Sequence, residues 1–265
     1  MLRGYSARII AVANRKGGVG KSTTVVNLAA ELANRGYRVL AVDLDPQGHA
    51  GLGLGILARA ADKTAHSALV ERQVWLGTSI RSTAIKNLDV LPADREFDGV
   101  IHASDPRCLA KALAPLRSRY DVILIDTPPG SANLIVCALL ASDGVLVPTL
   151  LEHLSFDGVR QFSRTYHHVA MGLNAALMGL AIVPTRVDLR SKVQQHVLSQ
   201  LNRGFGLSQV MPGIRVDISL CEAFGHHEPV RCYKSGSRAV GDFARVADDV
   251  IHRFACHEIG VEAVN

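Results

Sequence analysis

Aromatic residues are scarce, at 5% of 265 residues with a single tryptophan, although apolar residues reach 48%. The apolar content is therefore aliphatic, which suits a parallel sheet covered on both faces, whose strands read as Val/Ile/Leu runs. It is also too high for a disordered chain. No apolar run approaches the roughly 18 residues that span a bilayer. The five cysteines (Cys108, Cys137, Cys221, Cys232, Cys256) include no Cys-x-x-Cys pair. Their odd number and wide spacing argue against a disulfide framework and a zinc ribbon. Met1–Tyr5 leads directly into an apolar strand, which leaves no place for a secretory signal. No internal repeat, low-complexity run or linker interrupts the sequence. These absences lead us to expect a single domain over residues 1–265, soluble, cytoplasmic and without a transmembrane segment.

What is present is an alternation of strand and helix patterns, the mark of an α/β fold with a doubly wound, mostly parallel sheet flanked by helices. Strands are predicted at Arg8–Ala13, Arg38–Asp43, Leu88–Leu91, Asp121–Asp126, Gly144–Val147 and Leu177–Val183. Helices are predicted at Ser22–Asn34, Pro106–Arg119, Ala132–Ala141, Phe156–Ala170, Ser191–Arg203 and from Ser237 to Ala255. Gly51, Gly53 and Gly55 suggest a mobile loop, followed by one or two surface helices, and the stretch before Tyr233 reads as loop-rich. The net charge of +5 fits either a generic basic surface or contact with a polyanion, where each neutralised phosphate releases a counterion.

The chemistry concentrates in Lys16-Gly17-Gly18-Val19-Gly20-Lys21-Ser22, between the first strand and the first helix. Glycines let backbone N–H groups crowd around an anion, and the helix N-terminus adds its positive dipole end. Lys21 is placed to bridge β- and γ-phosphates, and the Ser22 hydroxyl to ligate Mg²⁺. The usual GxxxxGK[ST] pattern fails at its first glycine, where Arg15 stands, and a second lysine, Lys16, opens the loop. Asp126 ends an apolar strand in the manner of a Walker-B aspartate, before the rigid turn Thr127-Pro128-Pro129-Gly130. Asp43 and Asp45 end another. Strand ends meet a ligand at the carboxyl edge of a parallel sheet, so these carboxylates should converge on the first helix.

Together these residues resemble the ParA/MinD family of deviant Walker-A ATPases, and within it the partition branch (ParA, Soj). The resemblance runs over nearly the whole chain. Asp43-Leu44-Asp45-Pro46-Gln47 is similar to the family's switch I and Asp121–Gly130 to its Walker B and switch II. Thr185-Arg186-Val187-Asp188-Leu189-Arg190 is similar to a motif near the adenine. Leu220–Val230, with Tyr233 and Ser237-Arg238, looks like the C-terminal stretch of partition ATPases. The resemblance implies a SIMIBI-like P-loop NTPase fold, ATP and Mg²⁺ as cofactors, and slow, partner-stimulated hydrolysis of ATP. It implies nucleotide binding by Gly17, Gly18, Val19, Gly20, Lys21, Ser22, Thr23, Asp126, Thr185, Asp188 and Pro212. Metal contacts would come from Ser22, Asp45 and Asp126. The catalytic set is Lys16, Lys21 and Asp45, with Asp45 positioning the attacking water and Lys16 reaching the partner's phosphates across an ATP-bridged homodimer. Further implied partners are non-specific DNA, through Arg190, Lys192, Arg203, Arg215 and Arg238, and a ParB-like protein or cargo adaptor, with the protein associated with the nucleoid. The chain departs from the branch pattern at His49, at Phe224-Gly225 and at Ser219.

Two other classes share the P-loop. A MinD-like membrane-surface ATPase needs a basic amphipathic C-terminal helix, whereas Asp248–Asn265 carries only Arg253 beside Asp248, Asp249, Glu258 and Glu262. A nitrogenase-iron-protein-type reductase needs cysteines in a glycine-rich setting, while Cys108 and Cys137 fall in predicted helices and read as small buried hydrophobes. Neither His167-His168 nor His226-His227 makes a chelate unaided, because adjacent helical side chains point about 100° apart.

Overall fold

The computed structural model describes residues 6–59, 62–71, 74–102 and 105–256. Strands β1 (Arg8–Val12), β2 (Val39–Asp43), β3 (Arg81–Ser82), β4 (Leu88–Leu91), β5 (Val122–Asp126), β6 (Gly144–Leu150) and β7 (Leu180–Thr185) form one sheet. Its order is β3-β4-β2-β5-β1-β6-β7. Only β3 runs antiparallel to its neighbour. Insertion of β5 between β1 and β2 puts Val12 and Asp43 on either side of Asp126, each in register with it. Three strand ends are thereby aligned at one edge.

The strand sequences alternate between two buried faces, as a period of two requires. Ile10 and Val12, Val39 and Ala41, and Val122 and Leu124 face one aliphatic layer. That layer is completed by α1 (Lys21–Asn34) and by Phe243, Val246 and Val250 of α10 (Arg238–Arg253). Ile9, Leu40, Val42, Ile123 and Ile125 face the other layer, against α4 (Cys108–Leu113) and α5 (Ala132–Ala141). The same side of β6 and β7 is covered by α6 (Ser155–Gly172) and α7 (Lys192–Phe205). Cys137 lies buried in the aliphatic layer and Cys108 packs against it, as expected of small hydrophobes. The apolar face of α10 is fully engaged with the core. Among the described residues no helix is long and apolar enough to cross a membrane. Met1–Tyr5, Glu258 and Glu262 lie outside the described residues.

Several expectations are corrected. The glycine run is not a loose loop: His49–Gly53 forms the short helix α2, close against α1. A Cβ on Gly51 would stand 2.7 Å from the Ile56 carbonyl oxygen, and one on Gly53 2.9 Å from Val26. These glycines permit close approach, not mobility. The helix predicted over 106–119 is α only as far as Leu113 and continues as a 3-10 turn over Ala114–Ser118, where Pro115 has no N–H to give to an α-helical ladder. The strand predicted at Leu177 begins at Leu180, because Asn174 holds a turn by donating to the Leu139 and Ser142 carbonyls. The loop-rich stretch contains α8 (Ser219–Gly225) and α9 (Val230–Tyr233).

α9 is tied to α1, and α8 packs on α9 and α2. Asn27 accepts a hydrogen bond from the Val230 N–H at 2.8 Å. Glu31, 2% exposed, receives both Nε and Nη2 of Arg231 at 2.6 Å. Arg231→Ala leaves that carboxylate buried and unpaired. The expected loss is about 2 kcal/mol, below the roughly 3–5 kcal/mol of a fully buried pair because the arginine is partly hydrated. Urea unfolding at constant m reads it directly, and an unchanged midpoint contradicts it.

Candidate functional site

β1 delivers Ala13 to the carboxyl edge of the sheet, where the chain turns. Gly18 and Gly20 take φ values of 72° and 89°, conformations open to glycine, and Gly20 precedes the first turn of α1. The loop is braced from four sides. Asn14 donates to the Pro148 carbonyl at 2.8 Å and accepts from Lys16 N–H. Thr127 donates to the Val12 carbonyl, Thr185 to that of Val19, and Gly130 N–H to that of Arg15. β1, β5, β6 and β7 all therefore hold the loop, and none of these bracing bonds uses an N–H of residues 17–21. No acidic side chain caps the first turn of α1, so the dipole end stays positive.

Lys21 is 6% exposed, and its ammonium lies 3.3 Å from the Lys16 carbonyl. Burial lowers its pKa, partly offset by Asp126 and Asp45. Asp126 is fully buried with neither carboxylate oxygen hydrogen-bonded. Burial raises its pKa well above the ordinary carboxylate range, Asp43 and Asp45 push the same way, and Ser22 and Lys21 oppose them. Asp43 is pushed up to about 7 by burial, against hydrogen bonds from the N–H groups of Gly51 and Asp45. A buried carboxylate with unused acceptors beside a serine hydroxyl fits Mg²⁺. The described residues contain no group of three or more His, Cys, Asp or Glu arranged as a metal cage.

In front of these groups opens a cavity of about 630 Å³. Gly18, Val19, Gly20, Lys21, Ser22, Thr23, Asp45 and Thr185 line it. Gly17 and Lys16 sit at the loop's start outside the lining, and Asp126 lies buried behind it. Asp188 and Pro212 stand apart: Asp188 pairs with the exposed Arg190 at 2.7 Å, and Pro212 is exposed. The far wall was not legible beforehand. It consists of Ile214, Val216, Ile218, Leu220, Phe224 and Phe243, an apolar surface suited to a flat base. The alternating Ile214-Arg215-Val216-Asp217-Ile218 was its one available signal. Asp217 anchors this wall to the start of α10 by accepting from Ser237 Oγ at 2.7 Å and from Ser219 N–H. His49 also lines the cavity, edge-on to Phe224 with ring centroids 5.9 Å apart.

Lys16 reaches outward and pairs with Glu152 at 2.5 Å, both side chains about half exposed. The proposed DNA residues divide into two groups. Arg190, Lys192 and Arg203 are exposed on or beside α7, and Lys192 and Arg203, three turns apart, share a face. Arg190 is paired with Asp188, and Arg215, also exposed, is paired with the buried Asp242 and lines the cavity. Arg238 donates to the Val216 carbonyl. A basic sequence position does not reveal whether a carboxylate waits beside it in the fold.

A strand, a glycine-rich loop on a helix N-terminus, an inward lysine and a strand-end aspartate behind one cavity define the class of P-loop ATPases. The family model described as an AAA domain matches residues 7–178. The sporulation initiation inhibitor protein Soj of Bacillus subtilis is 36% identical over 248 residues, covering 92% of this chain and 98% of Soj. The chromosome-partitioning ATPase Soj of Thermus thermophilus is 37% identical, covering 96% and 98%. In structure, the chain is similar to cobyrinic acid a,c-diamide synthase from Mycobacterium smegmatis with bound ADP and magnesium. That match has a TM-score of 0.79 and 30% identity, and covers 94% of this chain and 96% of the other. The chain belongs to the ParA/Soj/MinD family of P-loop ATPases.

Proposed function

We propose that the protein is an ATP-dependent dimerising ATPase that binds DNA without sequence preference and partitions or positions a cargo in the cytoplasm, on the nucleoid. The observation that carries this reading is the pair of lysines in one loop with opposite destinations. Lys21 points inward among carboxylates, and Lys16 points outward at the rim. The near full-length similarity to two Soj proteins supports it. Bound ATP would lie with its phosphates on Gly17–Ser22 and its base against the Ile214–Phe224 wall. Ser22 and Asp126 would hold Mg²⁺, which would neutralise triphosphate charge. Asp45, beside the phosphate end of the cavity, orients the attacking water. Lys16 exchanges Glu152 for the phosphates of a second subunit, so two nucleotides become the adhesive of a homodimer. Because this exchange needs both subunits, turnover is slow until a ParB-like or adaptor protein stabilises the productive arrangement.

DNA would lie along the exposed cations of α7, contacting phosphates and no base edges. Retention on DNA is expected with ATP and not with ADP, falling about 40- to 150-fold in affinity between 50 and 200 mM salt if three or four phosphates are neutralised. Paired Lys192→Ala and Arg203→Ala substitutions should flatten that salt slope by roughly two. Equal retention with ADP, or insensitivity to salt, contradicts the DNA reading.

A further inference from the structure

His66 precedes α3 (Ser67–Val70) and is 1% exposed. It does not line the cavity. Both ring nitrogens are engaged by backbone. Nδ1 lies 3.0 Å from the Asp94 N–H, and Nε2 lies 3.1 Å from the Leu44 carbonyl oxygen. The Asp94 N–H can only donate, so Nδ1 carries a lone pair. The Leu44 carbonyl can only accept, so Nε2 carries the proton. One neutral tautomer satisfies both contacts, and the imidazolium satisfies only one. The ring is also stacked on Phe97, with centroids 4.3 Å apart and planes 24° from parallel. Burial lowers its pKa in the same sense, against the carbonyl of Leu44 and the charges of Asp94 and Asp45.

Leu44 is the single residue between Asp43 and Asp45. Its N–H donates to the Asp126 carbonyl at 3.0 Å, which fixes it to the end of β5. Its carbonyl, one bond from the Asp45 nitrogen, faces His66. The peptide that carries Asp45 is thus held on one side by β5 and on the other by the imidazole. Asp45 N–H donates to Asp43, and Gln47 N–H donates to Asp45 Oδ1, so the carboxylate inherits its orientation from this backbone. A histidine that merely filled a core would need partners, but nothing would require one of them to be the switch peptide itself.

We infer that His66 is a positioning residue for Asp45, acting through its hydrogen bond to the Leu44 carbonyl. The inference rests on the role proposed for Asp45. It makes His66, with Asp94 and Phe97 that hold its ring, part of the catalytic support although none of the three lines the cavity.

The two contacts can be separated by substitution. His66→Gln places an amide N–H near the position of Nε2 and keeps the Leu44 contact while leaving the Asp94 N–H without an acceptor. His66→Asn places an acceptor near Nδ1 and keeps the Asp94 contact while freeing the Leu44 carbonyl. Each strands one buried backbone group, so a purely structural role predicts similar losses of stability and of activity. Positioning predicts an asymmetry in single-turnover hydrolysis of radiolabelled ATP. His66→Asn should fall roughly tenfold or more, since small misplacements of an orienting group are costly, with ATP affinity within about twofold. His66→Gln should stay within about threefold of wild type. Equal losses in both variants overturn the inference. Imidazole nitrogen NMR of the wild-type protein is an independent readout: an unprotonated Nδ1 and an exchange-protected Nε2–H are expected, and the opposite tautomer overturns it without any variant having to fold. If Asp45→Ala hydrolyses ATP normally, the role of Asp45 fails instead, while the NMR signature of the His66 contacts stands.

Discussion

Lys21→Ala is expected to lose ATP binding by roughly 100-fold or more, about 3 kcal/mol, while the protein remains folded. The two halves of this result have separate causes. The ammonium is buried beside Asp126 and Asp45, and burial lowers its pKa. In the absence of ligand the charged form is therefore held at a desolvation cost, and removing it relieves that cost even as the carboxylates lose a neighbour. With a triphosphate present, the same preorganised cation meets up to four negative charges in a site whose walls are largely apolar, where water screens little. Titration with a fluorescent ATP analogue, together with a thermal melt of the unliganded protein, separates the two halves. Binding retained within fivefold, with a normal melt, contradicts the assignment of Lys21. A collapse of the melt would show that the lysine is needed by the fold itself.

Asp45→Ala should behave in the opposite manner: ATP binds, hydrolysis falls about 100-fold or more, and an ATP-dependent dimer accumulates. Asp45 is 6% exposed and lines the cavity, and its carboxylate is oriented by the Gln47 N–H at 3.0 Å. It contributes no part of the glycine loop, so its loss should leave affinity for the triphosphate nearly intact. Sedimentation with ATP and with ADP reads the dimer, and phosphate release reads the chemistry. Adding Lys16→Ala to the same chain is expected to abolish the dimer, because no cation would then reach across to the neighbouring γ-phosphate. Wild-type turnover by Asp45→Ala would remove Asp45 from the mechanism. A dimer that persists without Lys16 would remove the exchange with Glu152.

How much of this was readable in advance depends on whether the signal is local. The alternating strands were legible because a sheet covered on both faces requires continuous aliphatic runs, and Val39–Asp43 and Val122–Asp126 supply them within five residues. The glycine loop was legible for a similar reason, since glycines, lysine and serine must be adjacent to wrap one anion. The short helices were harder. α2 looked like a loop, because its glycines are set by the proximity of α1 and Ile56, which no local pattern encodes. The helix expected over 106–119 is α only to Leu113, because Pro115 has no N–H for the ladder, a local cue.

The site divides along the same line. Phosphate-binding chemistry lies within Lys16–Ser22, and the aspartates at strand ends were readable because a parallel sheet delivers every strand end to one edge. The order of strands was not, and it is the insertion of β5 between β1 and β2 that sets Asp43 beside Asp126. The pairing of Lys16 with Glu152, that of Arg215 with Asp242 and the grip of His66 on Leu44 all join residues far apart in the chain. Such contacts carry no periodicity and no spacing. What the sequence determined unaided was the anion loop, the aliphatic sheet and the family. Which cations remain free, which carboxylates lie buried together and what steadies Asp45 were decided by folding, because burial and pairing are properties of neighbours in space and not of neighbours in the chain.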